Sequence, residues 1–328
     1  MNKPFPTSSR RTELTNDFSW SPSRHRLFND CQRRYYYNHY GSWGGWDKHA
    51  DKQRQLLYRL KKMTNIPMLI GSLVHQTINQ VLLNLRKGQP VPVSTAIENT
   101  IRDFRKCLAE SERGDWRERP SKSTNLFEHY YGETPSPLDL TRIEDRLIGL
   151  LDAFYSSPIL NQLRSLPSYG WVTQEALDSF TLDGQKVWIS LDLAVREKGV
   201  MYIYDWKTGM EHKADKVQLA VYALFATKRL HASLPELTLR DFYLDSGNVV
   251  SVEMDSETVD ETISLIQSSI ELMLEKLDDV NTNSASQERF PLTDRTAICR
   301  QCSYKSVCFP AETNEMVSKP PQQLTLSF

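Results

Sequence analysis

Asp192 and the triplet Asp205-Trp206-Lys207 are residues whose types and spacing can work together chemically. Successive side chains of a strand alternate faces, so Asp205 and Lys207, two apart, share one. A hairpin ahead of them would set Asp192 beside Asp205. Paired carboxylates offer hard oxygen ligands to Mg²⁺ or Mn²⁺. A cation held there polarises a phosphodiester and lowers the pKa of a water. A nearby lysine positions that water or neutralises charge developing on phosphate. Glu175 lies on the preceding segment, and Lys207-Thr208-Gly209 closes the third one in a turn. Gln218 and Tyr222, four apart on a helical stretch, fall on one face. An Asp-x-Lys by itself is a common surface pattern; the ordered set is what distinguishes this one.

The elements that must position these residues follow from periodicity. Residues 1–20 are polar, carry Pro and Ser, and read as a flexible lead-in. Ser21-Pro22-Ser23 starts a helix, with Ser21 as N-cap and Pro22 in the first turn. That helix carries Arg24, Arg26, Arg33, Arg34 and Tyr35-Tyr36-Tyr37 until GSWGGWD, residues 41–47, breaks it. Leu69, Leu73, Val74, Ile78, Val81 and Leu82 repeat at helical spacing over 67–86. Residues 93–111 and 138–165 are further helical stretches, around a charged loop at 112–137. From residue 171 the period shortens to two. WVTQEALDSFTL, QKVWISLDLAVRE and VMYIYDWK are strands, with Asp183-Gly184 and Lys198-Gly199 at their turns. A helix over 214–229, strands near 237–245 and 248–254, and a helix over 256–278 complete the pattern.

With Gly71-Ser72-Leu73-Val74-His75 upstream, the set resembles the RecB-like branch of the PD-(D/E)xK nucleases over residues 18–310. That branch shows a Gly-x-x-x-His helix, a strand Asp, an (Asp/Glu)-x-Lys-(Thr/Ser)-Gly strand end and a Gln-x-x-x-Tyr helix. Gly71 to His75, Asp192, Asp205 to Gly209 and Gln218 to Tyr222 stand in the same order. The resemblance implies a restriction-endonuclease-like α/β core. It implies His75, Asp192, Asp205 and the Trp206 carbonyl as metal ligands and Lys207 as the catalytic lysine. Gln218 and Tyr222 would orient the site or the DNA. Glu175 is similar to a carboxylate that precedes the Asp strand in some members. Ser190 stands where many relatives have Gly, and Ala194 where a charged residue is common; neither removes a ligand. Apart from the motif, His75 on an apolar helical face would read as a core histidine.

Five cysteines in a long chain exclude a disulfide-rich scaffold. Cys299-x-x-Cys302-x₅-Cys308 places three thiols on one tight loop, spacing that suits zinc or an iron–sulfur cluster. Cys31 is the candidate fourth ligand, whereas Cys107 on an amphipathic stretch reads as a plain buried thiol. Iron–sulfur members of the nuclease branch, including the CRISPR-adaptation nucleases and AddB subunits, carry one Cys before the core and three after it. The resemblance therefore implies a 4Fe–4S cluster on Cys31, Cys299, Cys302 and Cys308, with zinc as the alternative. The cluster would staple the first helix to the C-terminal segment. The resulting division is a lead-in (1–20), a helical part (21–165), a nuclease core (166–285), a cysteine loop (286–312) and a tail (313–328).

The net charge of −1 hides an asymmetry. The first 62 residues hold 13 Lys and Arg against 5 acids, a surplus of eight, and the remainder holds 27 against 36. Arg24, Arg33 and Arg34, with the aromatics beside them, predict a DNA-facing surface, and Tyr222 is counted with it. The C-terminal Gln323-Leu324-Thr325-Leu326-Ser327-Phe328 is similar to peptides that bind the sliding clamp, with Gln323, Leu324, Leu326 and Phe328 as anchors. No phosphate loop is visible, so ATP-driven translocation would come from a separate helicase. No export signal or unbroken apolar span appears, which predicts a cytoplasmic protein without a membrane partner. The expected activity is metal-dependent DNA hydrolysis, as an exonuclease or flap- and end-processing enzyme preferring single strands or ends, in repair, recombination or defence. The alternative is a non-catalytic DNA-binding scaffold subunit of a helicase–nuclease or adaptation complex.

Overall fold

The computed structural model describes residues 14–311. Helices α1 (Pro22–Asp30), α2 (Gln32–Tyr36) and α3 (Lys52–Lys61) lead into α4 (Ile66–Arg86) and α5 (Val93–Arg113). The short α6 (Phe127–Tyr130) precedes α7 (Pro137–Tyr155) and α8 (Pro158–Arg164). Strands β1 (Trp171–Leu182), β2 (Gln185–Glu197) and β3 (Val200–Lys207) follow, then α9 (Lys213–Arg229), β4 (Leu237–Tyr243), β5 (Asn248–Val252) and α10 (Ser256–Leu274). Two short helices, α11 (Thr296–Arg300) and α12 (Lys305–Cys308), close the described chain.

The five strands lie side by side in chain order. β1, β2 and β3 pair antiparallel, β3 and β4 parallel, and β4 and β5 antiparallel. A parallel pair needs a crossover, and α9 supplies it. One sheet face packs on α1, α2, α9 and α10 through Phe28, Tyr35, Leu219, Phe225 and Ile266. The other packs on α4, α5, α7 and α8 through Val74, Ile78, Phe104, Leu147 and Leu160. Along β2 burial alternates through Val187 and Ile189, then becomes continuous from Leu191 to Val195. A strand covered on both faces reads as an apolar run, and Asp192 sits inside this one.

Local signals set most boundaries. Ser21 caps α1 by accepting from the Arg24 N–H, with Pro22 in the first turn. Ser136 and Asp139 close a reciprocal capping box on α7. Two expected helices are divided. The first breaks at Cys31, which is extended (φ −163°, ψ 110°), ends α1, and caps α2 by accepting at Sγ from the Arg34 N–H. The second breaks at Ser157, whose side chain caps α8 with Pro158 following; a proline removes a helical donor and restricts the residue before it. Before α1, Trp20 pairs with Val187 on the stretch of β2 that extends past β3. That pairing sets the start of α1 at the β2 edge. Among the described residues, α4 is the helix long and apolar enough to cross a membrane; here it buries Leu73, Val74, Ile78 and Leu82 in the core.

Candidate active site

Strand register aligns four carboxylates. Gln174 pairs with Leu193 and Ala176 with Leu191, which sets Glu175 opposite Asp192. Leu193 pairs with Tyr204, so Asp192 leads to Asp205, and Asp205 pairs with Asp241. Asp192, Asp205 and Asp241 are all buried. Charges this close and this buried require cations or protons.

Each oxygen's partner defines its role. Asp192 Oδ1 lies 3.1 Å from His75 Nδ1, and its Oδ2 accepts from the Trp206 N–H at 2.8 Å. Asp205 Oδ2 accepts from Lys207 Nζ at 2.7 Å. Asp205 Oδ1 lies 3.1 Å from the Gln218 amide nitrogen and 2.9 Å from the Tyr222 hydroxyl. Gln218 Oε1 in turn accepts from Lys207 at 3.0 Å. The Gln-x-x-x-Tyr face of α9 therefore locks Asp205 to Lys207. Glu175 Oε1 is buried without a hydrogen-bond partner. Its backbone, at φ 44°, is in the left-handed region, a costly conformation for a non-glycine residue inside a strand.

His75, Glu175 and Asp192 bring ligand atoms within 4.8 Å of one another, a group able to hold a metal ion. This trio differs from the expected set. Glu175 joins it, whereas the oxygens of Asp205 are occupied by Lys207, Gln218 and Tyr222. Trp206 also touches the site through its N–H, which donates to Asp192 Oδ2. His75 reaches the sheet because Gly71, one turn earlier on α4, lies against the turn after β3. A Cβ on Gly71 would meet Thr208 Oγ1 at 3.2 Å.

The electrostatics follow from burial and neighbours. Burial, then the Asp192 charge, pushes the Glu175 carboxyl up to about 7. Burial alone would lower His75, but the hydrogen bond and charge of Asp192 hold it up at about 9. Burial, then the Asp192 charge, raises Asp205. Burial opposes charge on Lys207, but Asp205, Asp241 and Asp215 reverse the balance and keep it an ammonium. Asp215 lies 3.5 Å and Asp241 3.9 Å from Lys207 Nζ. Neither acid was singled out from the sequence. Asp241 had a signal, as an acid inside the apolar strand LTLRDFY; Asp215 had none among the charges around it.

Arg24, Arg33 and Arg34, expected at a DNA-facing surface, each have partners within the fold. Arg24 donates to the Ser19 carbonyl and hydroxyl and lies over the rings of Phe18 and Tyr35. Arg33 donates to the Phe290 carbonyl at 2.7 Å. Arg34 faces the cysteines with its Nε buried. All three are half-buried and committed to internal contacts. Tyr222 is 1% exposed, so its ring presents no stacking surface. Arg26, exposed on the other face of α1, does border the active-site groove. That groove, about 640 Å³, continues past Arg26, Ser190 and Gln218 into a second hollow of about 510 Å³ flanked by Leu177 and Trp188.

Cys31, Cys299, Cys302 and Cys308 line one small cavity with Leu292, Ile298 and Phe309. Cys31 Sγ accepts from the Arg34 N–H and Cys302 Sγ from the Tyr304 N–H, both at 3.4 Å. Burial raises Cys299 and Cys302 and pushes Cys308 up to about 11. Cys107 stands apart on α5, packed against the helical core. Gln323, Leu324, Leu326 and Phe328 lie outside the described residues.

The chain matches the PD-(D/E)XK nuclease superfamily over residues 19–309 and belongs to it. It is thus a nuclease, a hydrolase of a class that uses divalent metal ions, on a restriction-endonuclease-like α/β fold. The chain is similar to a solved structure of a candidate exonuclease from Eubacterium rectale, at a TM-score of 0.45 and 12% identity, covering 91% of this chain and 93% of that one. A sequence search of curated proteins finds no match.

Proposed function

We propose that the protein is a metal-dependent deoxyribonuclease of the RecB-like iron–sulfur branch, acting on single strands or ends. The observation that carries this reading is the row Glu175, Asp192 and Asp205 across three strands, with Lys207 bonded to the last. His75, Glu175 and Asp192 would hold Mg²⁺ or Mn²⁺. The orphaned Glu175 oxygen and the oxygen-rich donor set fit such an ion. When bound, the ion supplies Lewis acidity at the scissile phosphate and an acidified water. Lys207, kept charged by three carboxylates, neutralises charge developing on the phosphate. Gln218 and Tyr222 hold Asp205, and Asp205 fixes the lysine. His75 gives up its proton to become a ligand. Arg26 at the groove edge contacts the phosphate backbone.

The four cysteines would hold a 4Fe–4S cluster that joins α1 and α2 to the C-terminal helices. Backbone N–H donors to sulfur and the cation of Arg34 suit an anionic cluster. The helical part and the sheet-bearing core would act as one unit held by this staple. Residues 323–328 would bind a sliding clamp, and deletion of 321–328 would abolish co-elution with it; unchanged co-elution overturns that partner.

The test is hydrolysis of end-labelled single-stranded, duplex and flap DNA with Mn²⁺, comparing wild type with Asp205→Ala and Lys207→Ala. Activity in the wild type alone supports the proposal. Equal inertness of all three on every substrate overturns it. Iron content and visible absorbance after anaerobic purification separate cluster from zinc.

A further inference from the structure

A second cleft, of about 540 Å³, shares no lining residue with the active-site groove. It lies between the loop before α3, the helix α3 itself and the loop at residues 117–122. Its composition is that of a nucleic-acid surface. Lys48, Arg59, Arg117, Arg119 and Lys122 line it against two acids, Asp47 and Glu118. Among the described residues no carboxylate lies within 4.0 Å of Lys48, Arg59, Arg117 or Lys122, and Arg119 reaches one only at 4.0 Å, Asp115. Arg117 lies over the Trp116 ring at 4.6 Å; Lys48, Arg59 and Lys122, with no carboxylate beside them, face solvent or an anionic ligand.

The same cleft presents aromatic surface. Trp46 is 45% exposed, an unusual state for the largest apolar side chain. It meets Trp43 edge-on at 5.0 Å and Tyr58 at 5.8 Å, so its own face is held in a fixed orientation. Two glycines place it there. Gly44 adopts φ +79°, and a Cβ on Gly45 would meet the Arg54 carbonyl at 2.4 Å and Tyr58 Cβ at 2.6 Å. The backbone lies directly on α3, and Trp46 projects beside the basic loop.

We infer that this cleft is an auxiliary site for single-stranded nucleic acid, in which Trp46 stacks on a base while Lys48, Arg59 and Lys122 contact successive phosphates. Unpaired strands are favoured over duplex because an exposed ring needs an unstacked base. The inference rests on the nuclease reading for its biological substrate, but binding here is independent of hydrolysis. The site would retain a strand while its end is processed in the other groove.

The experiment measures anisotropy of a fluorescent oligo(dT), long enough to span both sites, on the full-length holoprotein with Ca²⁺ in place of the active ion. Trp46→Ala is expected to weaken binding at least about fivefold, the loss of one stacked base. A Lys48→Glu/Lys122→Glu variant, altering two exposed side chains, is expected to weaken it further and to reduce the salt dependence by about 0.7 per phosphate lost. Hydrolysis of a trinucleotide stays at the wild-type rate in both variants, because none of the altered residues lines the active-site groove. Equal affinity in wild type and both variants overturns the inference. Loss in the charge-reversal variant alone, with Trp46→Ala unchanged, also overturns it, since the cleft would then serve a duplex backbone or an acidic protein. Absence of trinucleotide hydrolysis in the wild type would count against the nuclease reading and leave the binding result standing.

Discussion

The carboxylate site and the cysteine site gather ligands in opposite ways. Glu175 and Asp192 stand on neighbouring strands, with Asp205 and its lysine on the next, and the backbone ladder fixes their spacing before any ion arrives. Only His75 comes from outside the sheet. The cysteines sit on a helix break and two short terminal helices, with little regular structure to hold them. The first site is a product of the fold. The second, on the proposed reading, would contribute to the fold, because a bound cluster would link segments far apart in the chain. Charge follows the same division: buried acids crowd the sheet and favour a cation, while raised thiols need an occupant to become thiolates.

The sharpest break between the two is chemical. Lys207→Ala or Asp205→Ala should lower hydrolysis on the order of 10³-fold while leaving iron content unchanged in elemental analysis. Cys302→Ser should do the reverse. Visible absorbance disappears and the thermal midpoint falls on the order of 10 °C, because the ends of the chain are released. A variant that loses absorbance but melts with the wild type would show that the cysteine site does not staple the fold.

A third effect depends on pH. The Glu175 and Asp241 carboxyls, raised by burial to about 7, hold their protons in the folded chain below that pH. The folded state then binds more protons than the unfolded one, so stability falls as pH rises from about 4.5 through 7. The His75 contribution, present below about 6.5, is lost as pH rises through about 9. Chelated protein should therefore melt at lower temperature at pH 9 than at pH 6, and Mn²⁺ should narrow the gap by displacing protons. Glu175→Gln should raise the midpoint of the chelated protein by a few degrees at pH 8 and remove the response to Mn²⁺. Melting temperatures that rise with pH over this range would contradict the site's electrostatics.

The smallest effect concerns the groove edge. Arg26→Ala should raise KM a few-fold with kcat unchanged, as expected for loss of one phosphate contact. Steady-state kinetics at two salt concentrations would check it.

The strands were legible because period-two patterning and the Asp183-Gly184 and Lys198-Gly199 turns mark their ends. Ser21, Pro22 and the apolar spacing of α4 were equally local signals. Two features were not legible. An extended Cys31 inside an apparent helix has no sequence marker, because the break serves a distant loop. The inward commitment of Arg24, Arg33 and Arg34 depends on Ser19, Phe290 and the cysteine cavity, none of which local spacing reveals.

Sequence alone determined which residues could do chemistry, since residue types and spacings of two and four set a shared face within one element. It also set the order of the helices and strands that carry them. Tertiary structure decided which oxygens meet which partners. It brought Glu175 to His75 and Asp192, tied Asp205 to Lys207, placed Asp241 behind that pair, and turned three arginines inward. The physical reason is that faces follow from local backbone geometry, whereas partners depend on strand register and burial, which the whole chain settles at once.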